Sequence, residues 1–551
     1  MRAAHALIIA LFNTFATAGP PDWAVDAVWY QILPERFRNG DATNDPARDS
    51  LEEPVAPSAK WRVTPWGGDW FTRDEWEREL GPNFYWHVNE RRYGGDLRGV
   101  IDKLDYLAGL GITALYFNPV FHARSLHKYD ADSLHHIDPH FGPDPRGDLA
   151  LIRGETEDPK TWRWTAADKL FLELVKAAHA RGMRVIIDGV FNHTGRGFFA
   201  FRDVRDKHAA SRFRDWYAIE SFAPHFKYRG WAGSERLPEF AHTSDFAPGV
   251  KTYLLDITRR WMDPDGDGDP RDGIDGWRLD AADQVPVKFW TDWHTHVRAI
   301  NPAAFTSAEV WKDSARLVRD AHFSAAMNYE GFAYPVKGFL IDGRIPASRF
   351  ARFIALPPAA QNLIASHDTA RLASMIVNRA TARYDDAGNI PFNTDNSAEK
   401  TPGYQTRAPD ERDRRIQKLV VLFQMTAPGA PMIYYGDEAG MWGGRDPDCR
   451  MPMRWDTADA ALFAFYKSAI ALRREHPELR RADIAITPFD AQQSIAFTRG
   501  RLLIVLNRSE QPQTMRIEAP GGVLLATDDG VAHEAGQITL PGLSGAVFGA
   551  P

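Results

Sequence analysis

Residues 273–280 read GIDGWRLD. Ile274, Gly276 and Arg278 alternate with Asp275, Trp277 and Leu279, the two-residue period of a strand whose last residue, Asp280, emerges at the C-terminal end. The run is apolar enough for a core, so the charges of Arg278 and Asp280 cost free energy there unless they are paired or used. What the chain does with them depends on its neighbours.

Working outward, strand-like runs alternate with helix-like ones, the pattern of a parallel α/β sheet. Strands are expected at 27–37, 112–121, 184–193, 273–282, 304–311, near 325–329, at 361–367 and at 431–436. Helical periodicity falls at 96–110, 165–181, around 249–262, at 286–300 and at 414–427. Eight strands favour a closed (β/α)8 TIM barrel over an open sheet, and the barrel is assigned to residues 24–470. Two excursions interrupt the repeat. Residues 142–164 are polar and rich in Pro and Gly, and 194–247, after the third strand, are long and aromatic enough for an inserted domain. From about 471 to 551 short alternating β-branched runs predict a C-terminal antiparallel β-sandwich.

The bulk properties narrow the function classes. At 551 residues the chain exceeds one compact core. A net charge of −7 gives no basic excess to neutralise phosphates, which argues against nucleic acid or an anionic membrane as the main partner. No apolar run is long enough to span a bilayer. The 12% aromatic content fits either a large core or a cleft of rings that stack on sugars. The single cysteine, Cys449, permits no intrachain disulfide and has no adjacent base to activate it. Residues 1–18 read as a secretory signal peptide, with Arg2, an apolar stretch from Ala6 to Phe12 and Ala16-Thr17-Ala18 as the cleavage site. The expected location is therefore periplasmic or secreted.

In a barrel, function sits at the carboxyl ends of the strands. There the third strand carries Asp188, Asn192 and His193, the fourth Arg278 and Asp280, the fifth Glu309, and the seventh His367 and Asp368. Singly, each is as readily a helix cap or a surface charge. Together they supply what glycosidic cleavage needs: one ionised carboxyl to attack and one protonated carboxyl to donate. Arg278, on the same face as Asp280, is expected to keep that nucleophile charged. Glu309, between Ala308 and Val310-Trp311, is expected to be raised toward an acid's role by an apolar setting.

DGVFNH (188–193), GWRLD (276–280), EVW (309–311) and SHD (366–368) resemble the four ordered sequence regions of the α-amylase family of glycoside hydrolases. That resemblance covers about residues 24–551 and implies a retaining double displacement. By it, Asp280 is the nucleophile, Glu309 the acid/base and Asp368 the transition-state stabiliser. Asp188, His193, Arg278, His367 and Arg371 would hold the cleaved sugar, and Tyr129 would stack beneath it. Within the family, DAVWYQILPERFRNGD (26–41), HKYDADSLHHIDPHFG (127–142) and YYGDEAGMWGGRDPDCRMPMRW (434–455) resemble neopullulanases, cyclomaltodextrinases and maltogenic amylases. Trp311 would stack on the aglycone sugar and favour transglycosylation. LPEF (237–240) departs from that group's usual motif, and the barrel begins directly after the signal where the group often carries an N-terminal β-domain. Both departures weaken the expectation of cyclodextrin preference and of a dimer.

Asn39, Asp41, Asn44 and Asp45, with Gly94 and Asp96, crowd hard oxygen donors that suit calcium, and the resemblance implies the same structural ion. The competing reading is an Asx-rich turn satisfying its own backbone. DPDGDGDPRDG (263–273) mimics a calcium loop but has Ile274 where a bidentate Glu is needed, and is read as a turn. The leading expectation is a retaining hydrolase that cleaves α-1,4-glucosidic bonds of maltooligosaccharides, starch, pullulan or cyclodextrins, with α-1,6 cleavage and transglycosylation as side activities, and two other functions stand beside it. One is a sucrose- or isomaltose-directed α-glucosidase or isomerase of the same superfamily; the other is a non-catalytic carbohydrate-binding barrel, which has no need of three costly carboxylates.

Overall fold

The computed structural model describes residues 19–51, 58–357, 359–381, 397–456 and 459–550. The signal-peptide assignment, residues 1–18, lies outside the described residues. Eight parallel strands run in the order β6-β5-β4-β3-β2-β1-β8-β7. They are β1 (Trp29–Ile32), β2 (Ala114–Phe117), β3 (Arg184–Gly189), β4 (Gly276–Leu279), β5 (Phe305–Ala308), β6 (Ala325–Ala326), β7 (Gln361–Leu363) and β8 (Ala430–Tyr434). A parallel bridge from Met327 to Gln361 joins the two ends and closes the barrel. Nearly every strand residue is buried, as expected where side chains fill the inside and helices cover the outside.

The strands are shorter than the periodicity suggests: β4 and β5 end one residue before Asp280 and Glu309, and β7 ends at Leu363, five residues before Asp368. Gly276 sits at φ +154°, and a Cβ there would lie 1.9 Å from the carbonyl oxygen of Phe305, so β4 approaches β5 only with glycine at this point. The segment expected as one helix at 96–110 is two, Leu97–Ile101 and Leu104–Leu110, with Asp96 capping the first. Helix Ala166–His179 begins with a capping box in which Thr165 and Asp168 exchange side-chain and backbone bonds. Six of the eighteen tryptophans, Trp29, Trp76, Trp261, Trp277, Trp290 and Trp293, are fully buried.

The excursion 194–247 contains a short hairpin (Ile219–Ser221 with Lys227–Tyr228), bridges Tyr217 to Phe240 within itself, and returns beside the end of β3 through the bridge His193–Glu239. At the C-terminal end a helix, Ala460–Glu475, runs across residue 470, where the sequence suggested a change of character. A five-stranded and a three-stranded antiparallel sheet follow. Period-two alternation divides the larger sheet: Ile504 and Leu506 face the barrel's core, while Leu503 and Val505 pack with Met515, Ile538 and Leu540 of the smaller sheet. Among the described residues no helix is long and apolar enough to cross a membrane.

Candidate active site

The carboxyl ends of the strands open into a cavity of about 710 Å³, within the range of ligand-binding clefts. Asp280, Glu309, Asp368, Tyr129, His193, Trp311 and His367 line it. Beneath them lies Arg278, wholly buried. Its Nη1 is 2.8 and 2.9 Å from the two carboxylate oxygens of Asp188 and 3.0 Å from Oδ1 of Asp280. Its Nη2 is 3.2 Å from Oε2 of Glu309. One planar, permanently charged fork therefore ties the ends of β3, β4 and β5 together, a task that a lysine's single ammonium could not perform.

The electrostatic outcome differs from the expectation that Arg278 alone keeps Asp280 charged. Burial, and then the neighbouring charge of Glu309, raise Asp280 well above the usual carboxylate range, against the opposing pull of Arg278. The guanidinium is shared among three acids, so no one of them has its full effect. Asp188 is likewise pushed up to about 6, by burial first, with Arg278 opposing.

Glu309 also sits in a more polar setting than its sequence neighbours suggest. The backbone N–H of Ala281 donates to Oε2 at 2.9 Å and the indole N–H of Trp311 to Oε1 at 3.0 Å. Ala281 adopts a left-handed conformation (φ 43°, ψ 45°) that a non-glycine residue seldom takes, and there its N–H reaches the acid. Trp311 stacks on Tyr329, with centroids 4.0 Å apart and planes 11° from parallel, so one indole face is already covered.

Asp368 is held from two sides. Nη2 of Arg450 is 3.1 Å from Oδ1, and Nε2 of His367 is 3.1 Å from Oδ2. The amide of Gln31 lies 2.9 Å from Nδ1 of His367, leaving Nε2–H to face Asp368 and the hydroxyl of Tyr129 at 2.6 Å. Burial lowers His367 well below its ordinary value, so the ring is neutral. The Tyr129 hydroxyl donates to Asp188 at 2.9 Å, and its ring lies nearly parallel to His367, 8° apart. His193, pushed down to about 3 by burial, has a buried Nε2 without a protein partner and stacks on Trp231.

Arg371 does not join this group. It is fully buried, donates to the carbonyl of Tyr435 at 2.6 Å and pairs with Asp437 at 3.1 Å, beneath the end of β8. The sequence placed it three residues after Asp368, but the turn carries its side chain away from the cavity. Conversely, Gln31 and Asn118 close the hydrogen-bond chain to Tyr129, and Arg450 and Trp231 line the site without having been foreseen. Gln31 and Asn118 were findable, being polar residues at the ends of β1 and β2. Arg450 lies far along the chain with no local signal. Cys449 beside it is a buried thiol that donates to the carbonyl of His367.

At the loop after β1, Asn39 donates to Oδ1 of Asp45 at 2.7 Å, and a Cβ on Gly94 (φ +71°) would fall 2.0 Å from that same oxygen. Oδ1 of Asn44 is buried without a hydrogen-bond partner, and burial raises Asp45. Asp41 caps its own turn by accepting from Thr43, and Asp96 accepts from the amides of Gly40, Asp41 and Gly99. The six residues therefore converge, with two carboxylates also serving the backbone.

The family model described as "Alpha amylase, catalytic domain" matches residues 31–152 and 165–476. The chain is 36% identical over 521 residues to Neopullulanase 2 of Thermoactinomyces vulgaris, covering 91% of this chain and 72% of that one. It is 35% identical over 541 residues to the cyclomaltodextrinase of Geobacillus thermopakistaniensis, covering 94% and 75%. Among solved structures, the cyclic α-maltosyl-(1→6)-maltose hydrolase of Arthrobacter globiformis superposes with a TM-score of 0.71 at 28% identity, covering 97% of this chain and all of that one.

Proposed function

The chain belongs to the α-amylase family of glycoside hydrolases, and on that premise we propose that it cleaves α-1,4-glucosidic bonds of maltooligosaccharides, starch, pullulan or cyclodextrins with retention of configuration. The single observation that carries the reading is the Arg278 guanidinium in contact with Asp188, Asp280 and Glu309 at once. The Glu309 carboxyl gives its proton to the glycosidic oxygen while Asp280 attacks the anomeric carbon, forming a glycosyl ester; water, deprotonated by Glu309, then hydrolyses it. Attack needs the proton of the carboxyl pair on Glu309 and none on Asp280. The positive charge that develops at the sugar carbon favours that distribution. Asp368 and the neutral His193 are suited to grip ring hydroxyls, while the Tyr129 hydroxyl and both nitrogens of His367 are held by protein partners, leaving the Tyr129 ring to stack beneath the sugar. Cleavage of some α-1,6 bonds and transfer to a sugar acceptor belong to the same reading, with the free face of Trp311 as the acceptor platform.

A structural calcium is part of the proposal. The orphaned Asn44 oxygen, the Asp45 carboxylate, the Asn39 side chain and the Gly94 cradle are an oxygen-donor set suited to a hard cation, with Asp41 and Asp96 completing it. The ion would fix the loop after β1 and take no part in bond cleavage. Export to the periplasm or medium is also proposed, resting on the sequence of residues 1–18.

The test is a product profile on pullulan, γ-cyclodextrin and maltoheptaose. Panose from pullulan and maltose from the other two are expected. Activity on maltoheptaose alone would reduce the proposal to a plain exported amylase, and no turnover would revive the binding-barrel reading.

A further inference from the structure

A second group of chemistry-bearing side chains sits outside the catalytic cavity. His135 and His136 follow the loop after β2, and Glu155 belongs to the excursion 142–164. One ligand atom from each lies within 4.8 Å of the others. Nε2 of His135 is 3.1 Å and Nε2 of His136 2.5 Å from the same oxygen, Oε2 of Glu155. The side chains are 4%, 1% and 7% exposed, respectively.

The partners behind these three atoms are as ordered as the atoms themselves. Nδ1 of His136 is 2.8 Å from Oδ2 of Asp168, a carboxylate that can only accept, so Nδ1 carries the hydrogen. Nδ1 of His135 is 2.8 Å from the hydroxyl of Tyr253. Oε1 of Glu155 accepts from the backbone of Arg163 at 2.7 Å, which turns Oε2 toward the imidazoles. Trp162 stacks on His135, with centroids 4.4 Å apart. Arg260 pairs with Asp168 at 3.1 Å and balances its charge. Both rings are thus pinned through Nδ1 and present Nε2 to one carboxylate oxygen, the arrangement in which outer partners orient metal-binding histidines.

We propose that His135 Nε2, His136 Nε2 and Glu155 Oε2 bind one divalent transition cation of the zinc type, which fastens the excursion 142–164 to the outside of the barrel. Two imidazoles and a carboxylate suit zinc, whereas calcium prefers oxygen donors throughout. Tetrahedral zinc with bonds of ~2.0–2.1 Å separates its ligand atoms by about 3.3 Å. The 3.1 Å pair already meets that spacing, and a small rotation of Glu155 opens the 2.5 Å pair to it. The cation replaces the hydrogen that otherwise bridges His136 to Glu155. The acidic cluster Asp263, Asp265 and Asp272, two of whose members are exposed, carries no equivalent proposal.

The experiment uses the full chain, freed of metal by a chelator and kept in excess calcium. Zinc titration by calorimetry with elemental analysis is expected to show one tightly bound equivalent and a higher melting temperature. Cobalt is expected to give the intense visible absorption of a tetrahedral nitrogen and oxygen site and to quench Trp162. Glu155→Ala should lose the equivalent, and Tyr253→Phe, which keeps all three ligands, should weaken it about tenfold. If Glu155→Ala fails to fold, the wild type and Tyr253→Phe decide. Absence of stoichiometric zinc in the wild type, or unchanged binding in the folded variants, would overturn the proposal and leave a hydrogen-bonded cluster only.

Discussion

Nη1 of Arg278 lies 2.8 Å from Oδ1 and 2.9 Å from Oδ2 of Asp188, and both side chains are fully buried. The pair spans the ends of β3 and β4; the same Nη1 reaches Asp280, and Nη2 is left to face Glu309. Replacing the fork by an ammonium keeps the charge but loses the simultaneous contacts. Arg278→Lys should therefore lower kcat about 100-fold, on the scale of losing one preorganised donor, with a smaller change in KM. Steady-state kinetics on maltoheptaose, with circular dichroism to verify the fold, measures this.

His193 lines the cavity, and its buried Nε2 has no hydrogen-bond partner among the described residues. His193→Ala should reduce kcat/KM about 10- to 100-fold through loss of one hydrogen bond to the bound sugar. Since burial holds His193 near 3, the ring stays neutral across the working range, and the pH profile of the residual activity should keep the shape of the wild type. A changed shape would contradict the neutral-donor role.

Arg371 acts on stability. Burial pushes Asp437 up to about 7, against the opposing charge of Arg371. The folded chain holds this proton more tightly than the unfolded one, whose carboxyl titrates near ~3.9. The contribution is thus fully present below about pH 4 and lost as pH rises through about 7. Melting temperature should fall less over that window in Asp437→Asn than in the wild type. Arg371→Gln should lower stability by about 2–5 kcal/mol while leaving KM unchanged.

Removal of calcium by a chelator should lower the melting temperature, and calcium should restore it. Asp45→Asn, which weakens the oxygen-donor set, should lose most of that response while retaining turnover in calcium-free buffer close to that of the stripped wild type.

The barrel was legible because its strands are short, apolar and separated by periodic helices, so eight runs could be counted without knowing how they pair. Their ends were less legible: the chain leaves β7 at Leu363, and Asp368 reaches the cavity from a loop. The candidate catalytic carboxylates could be read for the same reason that GIDGWRLD stands out, charge at the end of a core strand. Arg371 shows the limit of that criterion. Proximity in sequence does not say which way a side chain turns, and Arg371 turned inward to Asp437. Arg450 shows the converse. Its contact with Asp368 spans 82 residues of chain, and only the closed barrel brings the two together. The residues 58–92 gave no recognisable element in the sequence, yet Asn89, Glu90 and Arg92 form one wall of the cavity.

The central claim is that Asp280 forms a covalent bond to the sugar. The most direct measurement is mass spectrometry of the Glu309→Gln variant incubated with an α-maltosyl fluoride, whose leaving group needs no proton from residue 309. The first step should then outrun the second, and proteolysis should locate one maltosyl ester on the peptide containing Asp280, released as the α-anomeric azide when azide is added. A label on another residue, or an unlabelled enzyme that still turns the fluoride over to a β-anomeric product, would contradict the double displacement.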